Sequence, residues 1–295
     1  MIKRTIYFGN PTYISLKSNQ LLINFPDNES LCKKTIPIED IGIVILDNNQ
    51  ITITQGLIEA LLENNVAIIS CDKKRLPVGL MLPLTGNIVQ NERFRTQIDA
   101  SIPLKKQLWQ QTVQSKINNQ ASALKIVRKI EVKNMEKWIN DVKSGDTSNI
   151  EARAAAYYWA NFFQDFGRDR FGDEPNNFLN YGYAVLRAIV ARSLVASGLL
   201  PTLGIHHHNK YNAYCLADDI MEPYRPFVDI LVAELVEAGE FELNKVVKAR
   251  LLSIPTLDVR INDQTSPLMV AVSITTASLY KCFSGELRRI TYPYM

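Results

Sequence analysis

The histidines of the chain are consecutive, at positions 206–208, and carboxylates follow them closely, at Asp218, Asp219 and Glu222. Imidazole beside carboxylates is the composition of a site that binds a divalent metal or transfers protons. Asp219 and Glu222 stand three residues apart, so they share one face wherever this segment is helical. The sequence has no other histidine, so any chemistry that needs imidazole must take place here.

In an extended segment, His206 and His208 point to one side of the chain and His207 points to the other. A single metal ion is therefore not expected to bind all three histidines. One imidazole and two carboxylates, with water in the remaining positions, suit Mg²⁺ or Mn²⁺ better than structural Zn²⁺. Such an ion polarises a phosphoryl oxygen and activates an attacking hydroxyl group. A solvated or ion-paired surface is the alternative interpretation of the same residues.

A helix-capping pattern occurs upstream, at Ser148-x-x-Glu151, in front of an Ala-rich segment. In a capping box the serine is the N-cap, and the glutamate at the third helical position bonds back to it. By itself this pattern predicts a structural role for both residues, and it indicates that a helix begins near residue 150.

The elements that must position these residues differ between the two ends of the chain. In the first part, short β-branched or aromatic runs are separated by Gly, Pro and Asn, which is typical of strands and turns. The expected strands, with one helix at 54–64, are 5–8, 13–16, 21–25, 41–46 and 66–70.

After residue 90, Gly and Pro become rare, and residues with high helix propensity dominate. The expected helices are 91–98, 103–118, 121–130, 132–143, 150–166, 177–197, 218–238, 243–253 and 264–283. These patterns predict an α+β fold with two domains. A small N-terminal β-rich domain, residues 1–86, is followed by a larger all-α C-terminal domain, residues 87–295.

The composition is that of a globular protein, with 46% hydrophobic and 21% charged residues. Its four cysteines are scattered without a C-x-x-C spacing, which is typical of reduced thiols in an intracellular protein. The first residues lack the apolar core of a secretory signal, and the most apolar long segment, 184–200, is interrupted by Arg187 and Arg192. We therefore expect a soluble cytoplasmic protein without a membrane span.

The net charge of +3 is weakly basic, which is compatible with nucleic acid binding but does not require it. Segment 101–145 is more strongly biased, with nine Lys and Arg residues against three acidic ones. Such an excess on helices predicts either a surface that faces phosphates or a solvated helical face.

Several motifs in one order resemble the CRISPR-associated protein one family, the integrase that captures new spacers. The motifs, which span residues 149–226, are Asn149-Ile150-Glu151, Asn177-Phe178-Leu179-Asn180-Tyr181-Gly182-Tyr183, Gly198-Leu199-Leu200-Pro201, Gly204-Ile205-His206-His207 and Leu216-Ala217-Asp218-Asp219 through Arg225-Pro226. The β-then-helical layout agrees with this family over the whole chain. The short length and the Gly-Ile-His-His variant resemble members that accompany type II systems.

The resemblance implies the roles that the residues alone left open. It assigns Glu151, His207 and Glu222 as catalytic residues and as ligands of Mg²⁺ or Mn²⁺. It places Asp219 with them as a further candidate ligand. His206, His208 and Asp218 then become structural.

The resemblance also implies partners. It implies a homodimer built through the N-terminal domains, and two such dimers that hold a central dimer of CRISPR-associated protein two. The type II effector nuclease is a further candidate partner. The implied substrate is double-stranded DNA: a captured fragment whose 3′-hydroxyl attacks a phosphodiester at the border of a CRISPR repeat. We hypothesise that Arg168, Arg187 and Lys248 contact its phosphates, together with some of the basic side chains of segment 101–145.

Two other functions remain compatible with the sequence. A metal-dependent nuclease or phosphatase could use the same ligands with water as the nucleophile, and it would release free ends without joining strands. A non-catalytic DNA-binding scaffold would use the motif residues only for structure. Strand joining, and its dependence on His207, separates the three functions.

Overall fold

The structure is a computed structural model that describes residues 3–25, 34–169, 172 and 174–295. The chain divides into two compact units, Met1–Ile88 and Val89–Met295, and the division falls two residues after the expected boundary at residue 86. Of the four cysteines, Cys32 lies outside the described residues, while Cys71, Cys215 and Cys282 are free thiols.

The first unit is rich in β-structure, and its one described α-helix, α1, spans Gln55–Glu63. Its strands are β1 Arg4–Phe8, β2 Thr12–Lys17, β3 Gln20–Asn24, β4 Lys34–Pro37, β5 Ile41–Leu46, β6 Ile51–Ile53, β7 Ala67–Cys71 and β8 Pro77–Met81. Within the described residues they form two four-stranded sheets, of order β1-β5-β7-β8 and β4-β3-β2-β6. Strands β1, β5 and β7 are parallel, whereas β8 joins the first sheet antiparallel to β7.

The core of the first unit explains which strands could be predicted. Strand β5 is an almost continuous apolar run and is buried along its length, as expected for a central parallel strand. Helix α1 packs Leu57 and Leu61 into the same core. Strands β4, β6 and β8 were not expected, because they are short or carry Lys, Pro, Thr and Gly, which give little local β signal.

The second unit is largely helical. Its helices are α2 Gln90–Ile98, α3 Ile102–Arg128, α4 Lys133–Asp141, α5 Ile150–Phe162, α6 Asn176–Ala196, α7 Cys215–Met221, α8 Arg225–Glu237, α9 Lys245–Leu251 and α10 Leu268–Phe283. Helix α6 is buried along most of its length, and α3 contacts α4, α5, α7 and α8. Helix α3 is therefore the element on which residues from several other helices meet.

Two expectations for this unit require correction. Helix α3 is continuous, although two helices were expected at 103–118 and 121–130. The expected junction falls at Asn119 and Gln120, which are both buried inside the continuous helix, and Asn119 donates to the carbonyl oxygens of Pro223 and Pro293. The unit is also not all-α, since β9 Asp258–Ile261 and β10 Gln264–Pro267 form an antiparallel hairpin. Helix α10 consequently begins at Leu268 rather than at residue 264.

The helix expected at 218–238 is divided. Helix α7 ends at Met221, the short 3-10 turn Glu222–Tyr224 follows, and α8 begins at Arg225. Pro223 and Pro226 lack the N–H groups that a continuous helix would use at these positions, so they stand in first turns instead. In the described parts of the chain, none of the helices combines the length and the apolar character that crossing a bilayer requires.

Candidate active site

Two carboxylates from different elements meet at one ammonium group. Glu151 lies in the first turn of α5, and Glu222 begins the 3-10 turn between α7 and α8. Lys116, on α3, forms an ion pair with Glu151 Oε1 through its Nζ, and the same Nζ lies 2.6 Å from Glu222 Oε2. Arg225 Nε lies 2.9 Å from the other oxygen, Oε1, of Glu222. The two glutamates predicted as metal ligands are therefore brought together, around a cation that the chain itself supplies.

The burial of this cluster makes its charges strongly interdependent. The side chains of Lys116 and Glu222 are each 9% exposed, and that of Glu151 is 26% exposed. Burial acts to raise the pKa of Glu222, but the charges of Arg225 and Lys116 outweigh it and lower this pKa to about 2. Burial acts in turn to lower the pKa of Lys116, yet Glu222 and Glu151 hold it above its ordinary value. The ammonium of Lys116 thus provides the positive charge between the two carboxylates.

His207 is oriented by the fully buried Asp219 of α7. The ring Nδ1 lies 2.5 Å from Asp219 Oδ1, and because a carboxylate only accepts, Nδ1 carries the proton. The Nε2 atom is therefore the nitrogen with a free lone pair. This hydrogen bond is the main cause of the raised pKa of His207, and the charges of Glu222 and Glu151 act in the same direction. Metal-binding histidines commonly have such a carboxylate on their second nitrogen.

Asp219 has no acceptor position left for a metal. Its Oδ2 accepts from the backbone N–H groups of Ile205, at 2.8 Å, and His206, at 3.0 Å, and its Oδ1 accepts from the N–H of His207, at 3.3 Å, as well as from the ring. These four bonds fill the lone pairs of a carboxylate. We therefore revise the prediction that Asp219 is a ligand: it holds the loop that carries His207.

The loop around the histidines packs tightly against Asp219 at Gly204. A Cβ atom on Gly204 would lie 2.3 Å from the carbonyl oxygen of His207 and 2.7 Å from Asp219 Oδ2. Backbone cannot move aside as a flexible side chain can, so this position requires glycine. The spacing Gly-x-x-His therefore reflects the close approach of the loop to the buried carboxylate.

The histidine run is not a strand: a bend falls at Ile205 and His206, and the predicted alternation of the side chains, which requires an extended segment, is wrong. The His206 ring stacks on Trp109 with a centroid distance of 4.2 Å, and the His207 ring meets the same indole edge-on at 5.5 Å. His208 Nδ1 instead lies 2.6 Å from the carbonyl oxygen of His206. Trp109 is buried on α3 and thus supports both histidine rings.

The start of α5 is fixed by Asp146 rather than by the predicted capping box. The carboxylate of Asp146 accepts from the N–H groups of Ile150 and Glu151, each at 2.9 Å. The N-cap residue is Asn149, in the left-handed conformation, and its side chain makes no capping bond. The serine predicted as the N-cap, Ser148, lies outside this arrangement. The backbone of Glu151 is therefore positioned by a residue that the S-x-x-E pattern does not contain.

The candidate ligand atoms are of the chemical types that a divalent cation prefers. They are carboxylate oxygens from Glu151 and Glu222 and one imidazole nitrogen, and these ligands suit Mg²⁺ or Mn²⁺. Among the residues that the structure describes, however, no three His, Cys, Asp or Glu side chains converge closely enough to hold an ion. The ammonium of Lys116 occupies the position between the two carboxylates. An ion bound there would have to displace it.

Comparison with known proteins identifies the family. The family model for CRISPR associated protein Cas1 matches residues 6–258. The chain is 37% identical over 281 residues to the CRISPR-associated endonuclease Cas1 of Neisseria meningitidis serogroup C (strain 8013), covering 94% of this chain and 91% of that protein. The chain belongs to the Cas1 family. A second relative, CRISPR-associated endonuclease Cas1 2 of Pyrobaculum aerophilum, is 29% identical over 264 residues, which are 84% of this chain and 90% of that protein.

Solved structures show the same fold at low identity. A casposase bound to its integration product superposes with a TM-score of 0.80 at 19% identity, over 98% of this chain and 92% of that one. A CAS1 protein from Thermotoga maritima gives 0.76 at 16% identity, over 96% and 97% of the two chains. A Cas6-RT-Cas1–Cas2 complex gives 0.75 at 18% identity, over 97% of this chain and 35% of that one. The mixed fold, strand-rich first and largely helical afterwards, is thus the fold of Cas1 structures, and the predicted family is confirmed.

In this member of the Cas1 family, the three arginine and lysine residues expected to contact DNA differ in their surroundings. Lys248 is only 3% exposed and lies over the ring of Tyr181, so it cannot reach a phosphate without leaving the core. Arg187 donates two hydrogen bonds to Asp218, from Nε to Oδ1 at 2.6 Å and from Nη2 to Oδ2 at 3.0 Å. The structure therefore contradicts the prediction for Lys248 and provides Arg187 with a carboxylate partner.

Arg168 remains the strongest of the three candidates. Its guanidinium donates to the side-chain oxygens of Asn176, at 2.9 Å, and Asn180, at 2.6 Å, which orient it without neutralising its charge. It lines a cavity of about 140 Å³ that Lys116, Arg225 and Glu222 also line. Burial lowers the pKa of Arg168, as expected for a guanidinium held away from water. A positive group thus stands beside the carboxylates of the Cas1 site.

The wall of this cavity holds a buried acid that the sequence did not single out. Asp229 accepts hydrogen bonds from Tyr158, at 2.9 Å, and from Tyr183, at 2.5 Å. Burial raises the pKa of Asp229 to about 7, against these two bonds, which lower it. The ring of Tyr183 also lies beneath the guanidinium of Arg225, 4.6 Å from its centroid. Asp229 and Tyr183 therefore support the arginine that pairs with Glu222.

Lys116 is a residue of the candidate site whose position was not predicted from the sequence. It was counted among the positive charges of segment 101–145, for which a phosphate-facing surface and a solvated helical face were the two interpretations. The sequence does indicate that Lys116 is buried, because it lies within the apolar stripe of α3 that runs through Trp109, Val113 and Ala123 at helical spacing. A charged residue on such a stripe is almost always paired. The pattern predicts a buried partner without naming it.

Proposed function

We propose that the chain joins the 3′-hydroxyl ends of captured double-stranded DNA to the borders of CRISPR repeats, by a metal-dependent transesterification. The observation that supports this function is the convergence of Glu151 and Glu222 on one cation position, beside a histidine whose Nδ1 is held by buried Asp219. Membership of the Cas1 family and the likeness to a casposase bound to its integration product agree with strand joining.

The proposed reaction needs positioning and charge neutralisation more than acid–base chemistry. The attacking 3′-oxygen forms a bond to phosphorus as the bond to the leaving 3′-oxygen breaks, and negative charge increases on the phosphoryl oxygens. Mg²⁺ or Mn²⁺, when bound, would supply Lewis-acid polarisation of such an oxygen. Glu151, Glu222 and the Nε2 atom of His207 would hold the ion. Arg168 would place a phosphate beside it.

The ammonium of Lys116 has two parts in this scheme. In the absence of an ion it neutralises Glu151 and Glu222, which would otherwise repel each other in a buried site. If an ion were bound, the displaced ammonium would stay near the cavity that Lys116, Arg168 and Arg225 line. There it would face the negatively charged phosphoryl group. Lys116 would thus neutralise the glutamates in the metal-free site and the phosphoryl group in the metal-bound site.

The proposed assembly follows from the family. The strand-rich first unit would form the homodimer, and two dimers would hold a central dimer of CRISPR-associated protein two. A solved neighbour of this fold is a complex that contains Cas1 and Cas2. The type II effector nuclease is proposed as a further partner of the complete complex.

The experiment that tests the function separates joining from hydrolysis. The chain and CRISPR-associated protein two are incubated with Mn²⁺, a labelled DNA fragment and a plasmid that bears the repeat. We expect label to become covalently joined to the repeat border, and we expect His207→Ala to abolish this product. Nicked or shortened DNA without joined label would instead indicate a nuclease, the second candidate function. Joining that survives His207→Ala would exclude the proposed site.

A further inference from the structure

The turn that carries Glu222 is tied to a distant part of the chain, the 288–294 segment. This segment follows α10 and lies along α3. Its carbonyl at Arg288 accepts from Gln111 Nε2, at 3.0 Å, and its N–H at Ile290 donates to Gln111 Oε1, at 2.9 Å. Further along, the hydroxyls of Tyr292 and Thr112 are 2.8 Å apart. Two adjacent side chains of α3 thus hold the segment.

A first connection from this segment to the Glu222 turn passes through Asn119. This fully buried residue lies on α3, three positions after Lys116. Its amide nitrogen donates to the carbonyl oxygen of Pro223, at 2.8 Å, and to that of Pro293, at 3.0 Å. Both hydrogens of one side-chain amide are therefore used to join the residue after Glu222 to the 288–294 segment.

A second connection passes through Thr275 on α10, which is also fully buried. Its hydroxyl donates to the carbonyl oxygen of Thr291, at 2.6 Å, because a carbonyl can only accept. The hydroxyl of Tyr224 must then donate to Thr275 Oγ1, across 2.6 Å. The backbone N–H of Thr291 donates to Ser278 Oγ, at 2.9 Å, so Thr291 itself is fixed on both sides.

We propose that the 288–294 segment is a positioning element of the active site, which holds the Glu222 turn in register with Lys116 on α3. Asn119 and Thr275 are the positioning residues that connect it to Pro223 and Tyr224, the two residues that follow Glu222. Buried hydrogen bonds of this kind are costly to leave half-made, so the turn and the segment are stabilised together. In its consequence for metal binding, the inference rests on the proposed role of Glu222 as a ligand.

The test compares substitutions that break one connection with matched ones that do not. Thr275→Val removes the bridging hydroxyl at nearly constant volume, and Thr275→Ser retains it. Asn119→Leu breaks the first connection. Tyr294→Phe removes only an exposed bond to Asp263 and serves as the control in the segment itself. A chain that ends at Ile290 removes both acceptors, Thr291 and Pro293, at once.

Two measurements are made on each variant. Hydrogen exchange, followed by mass spectrometry, reports the backbone around residues 220–228, and calorimetric titration with Mn²⁺ reports the affinity for the ion. In Thr275→Val, in Asn119→Leu and in the shortened chain, we expect faster hydrogen exchange in residues 220–228. We also expect the affinity for Mn²⁺ to fall by about tenfold, which is usual when a group that orients a metal ligand is removed. Thr275→Ser and Tyr294→Phe should match the unsubstituted protein, and exchange in α1 should not change.

The outcomes separate this inference from the proposed function. Unchanged exchange at 220–228 in Thr275→Val and Asn119→Leu would overturn the positioning role, whatever the metal does. Faster exchange with full Mn²⁺ affinity would also overturn it, provided that Glu222→Gln itself weakens Mn²⁺ binding. If Glu222→Gln leaves Mn²⁺ affinity intact, the proposed metal site is wrong, and the exchange data alone decide whether the segment holds the turn.

Discussion

Lys116 and Glu222 form a buried ion pair, with 2.6 Å between Nζ and Oε2, and the same ammonium also pairs with Glu151. The pair joins the centre of a long helix to a 3-10 turn that is remote in the sequence. Because Glu222 is buried and Glu151 is only 26% exposed, a cation between the two carboxylates offsets their mutual repulsion. The chain thus stabilises its folded state with the same two side chains that the proposed metal would use.

Competition between Lys116 and the metal can be measured. We expect Lys116→Met to raise the affinity for Mn²⁺ by roughly tenfold, since a bound ion would no longer displace an ammonium. Without metal, the same substitution leaves Glu151 without its ammonium partner and Glu222 with Arg225 alone, and it should lower the free energy of unfolding by about 3 kcal/mol. Calorimetric titration and denaturant unfolding, with and without Mn²⁺, measure both effects. Lys106→Met, at an exposed position of α3, is the control, and weaker Mn²⁺ binding by Lys116→Met would contradict the competition.

The hydrogen bond between Asp219 and His207 predicts a pH dependence. A metal requires neutral imidazole, and the raised pKa of His207 means that activity is lost as the pH falls through this raised value. In Asp219→Asn the imidazolium of His207 is less stabilised, so the acid limb of the pH–rate profile should move to lower pH. Because the ring is also less well oriented, the joining rate near pH 8 should fall by about ten- to a hundredfold. Asp218→Asn, which loses a partner of Arg187 instead, should leave the acid limb in place.

Arg168 and Lys248 predict different responses to salt. Arg168→Ala should weaken binding of a double-stranded DNA fragment and reduce the slope of log affinity against log salt by about one, because one phosphate contact is lost. Lys248→Ala should leave this slope unchanged, since the ammonium is buried over Tyr181, and it should instead lower the melting temperature. Fluorescence anisotropy at several salt concentrations gives the slopes. Equal slopes for Arg168→Ala and the unsubstituted chain would remove Arg168 from the DNA surface.

The first turn of α5 provides a comparison of two neighbouring positions. Asp146→Ala removes the acceptor for the N–H groups of Ile150 and Glu151, which should cost about 1 kcal/mol of stability and lower the joining rate as the Glu151 backbone loosens. Ser148→Ala should be neutral in both respects, because the capping bonds come from Asp146. Thermal unfolding and the joining assay test both substitutions. A loss of stability on Ser148→Ala would restore the capping box.

Asp229 predicts how stability varies with pH. The folded-state pKa of Asp229, about 7, lies above the value of an exposed aspartate. Protonated Asp229 therefore stabilises the folded state fully at low pH, and this stabilisation is lost as the pH rises from about 4 through 7. Asp229→Asn has no proton to lose, and the free energy of unfolding should fall less between pH 5 and pH 8 than in the unsubstituted chain. Urea unfolding across this range measures the difference. Parallel pH dependences for the two proteins would show that Asp229 does not titrate there.

The sequence predicts those parts of the fold that carry a strong local period. Strand β5 and helix α6 follow from apolar runs, and the two proposed carboxylate ligands follow from family motifs. Strand β10 was expected to be the start of a helix, because Gln264, Thr265 and Ser266 carry no strong preference of their own. Their conformation depends on pairing with residues 258–261, which is a tertiary property.

The same limit applies to the charged residues of the site. Asp219 looked like a ligand because it stands three positions before Glu222, yet its oxygens bond to a loop that precedes it by more than ten residues. Lys248 was expected to contact a phosphate, together with Arg168 and Arg187. Only the packing of α9 against α6 shows that it lies over an aromatic ring in the interior. Charge identifies candidates, whereas partners are decided by elements far apart in the chain.

The tight approach at Gly204 has a consequence for judging distant relatives of this chain. A sequence that keeps the histidine but bears a side chain three positions earlier must rebuild the loop, since a Cβ there would meet both the backbone and Asp219. The imidazole would then lose the carboxylate that fixes its tautomer. Gly204 is therefore a better marker than the histidine itself of which homologues retain the site. Where this glycine is replaced, we expect homologues that keep the fold but have lost the activity.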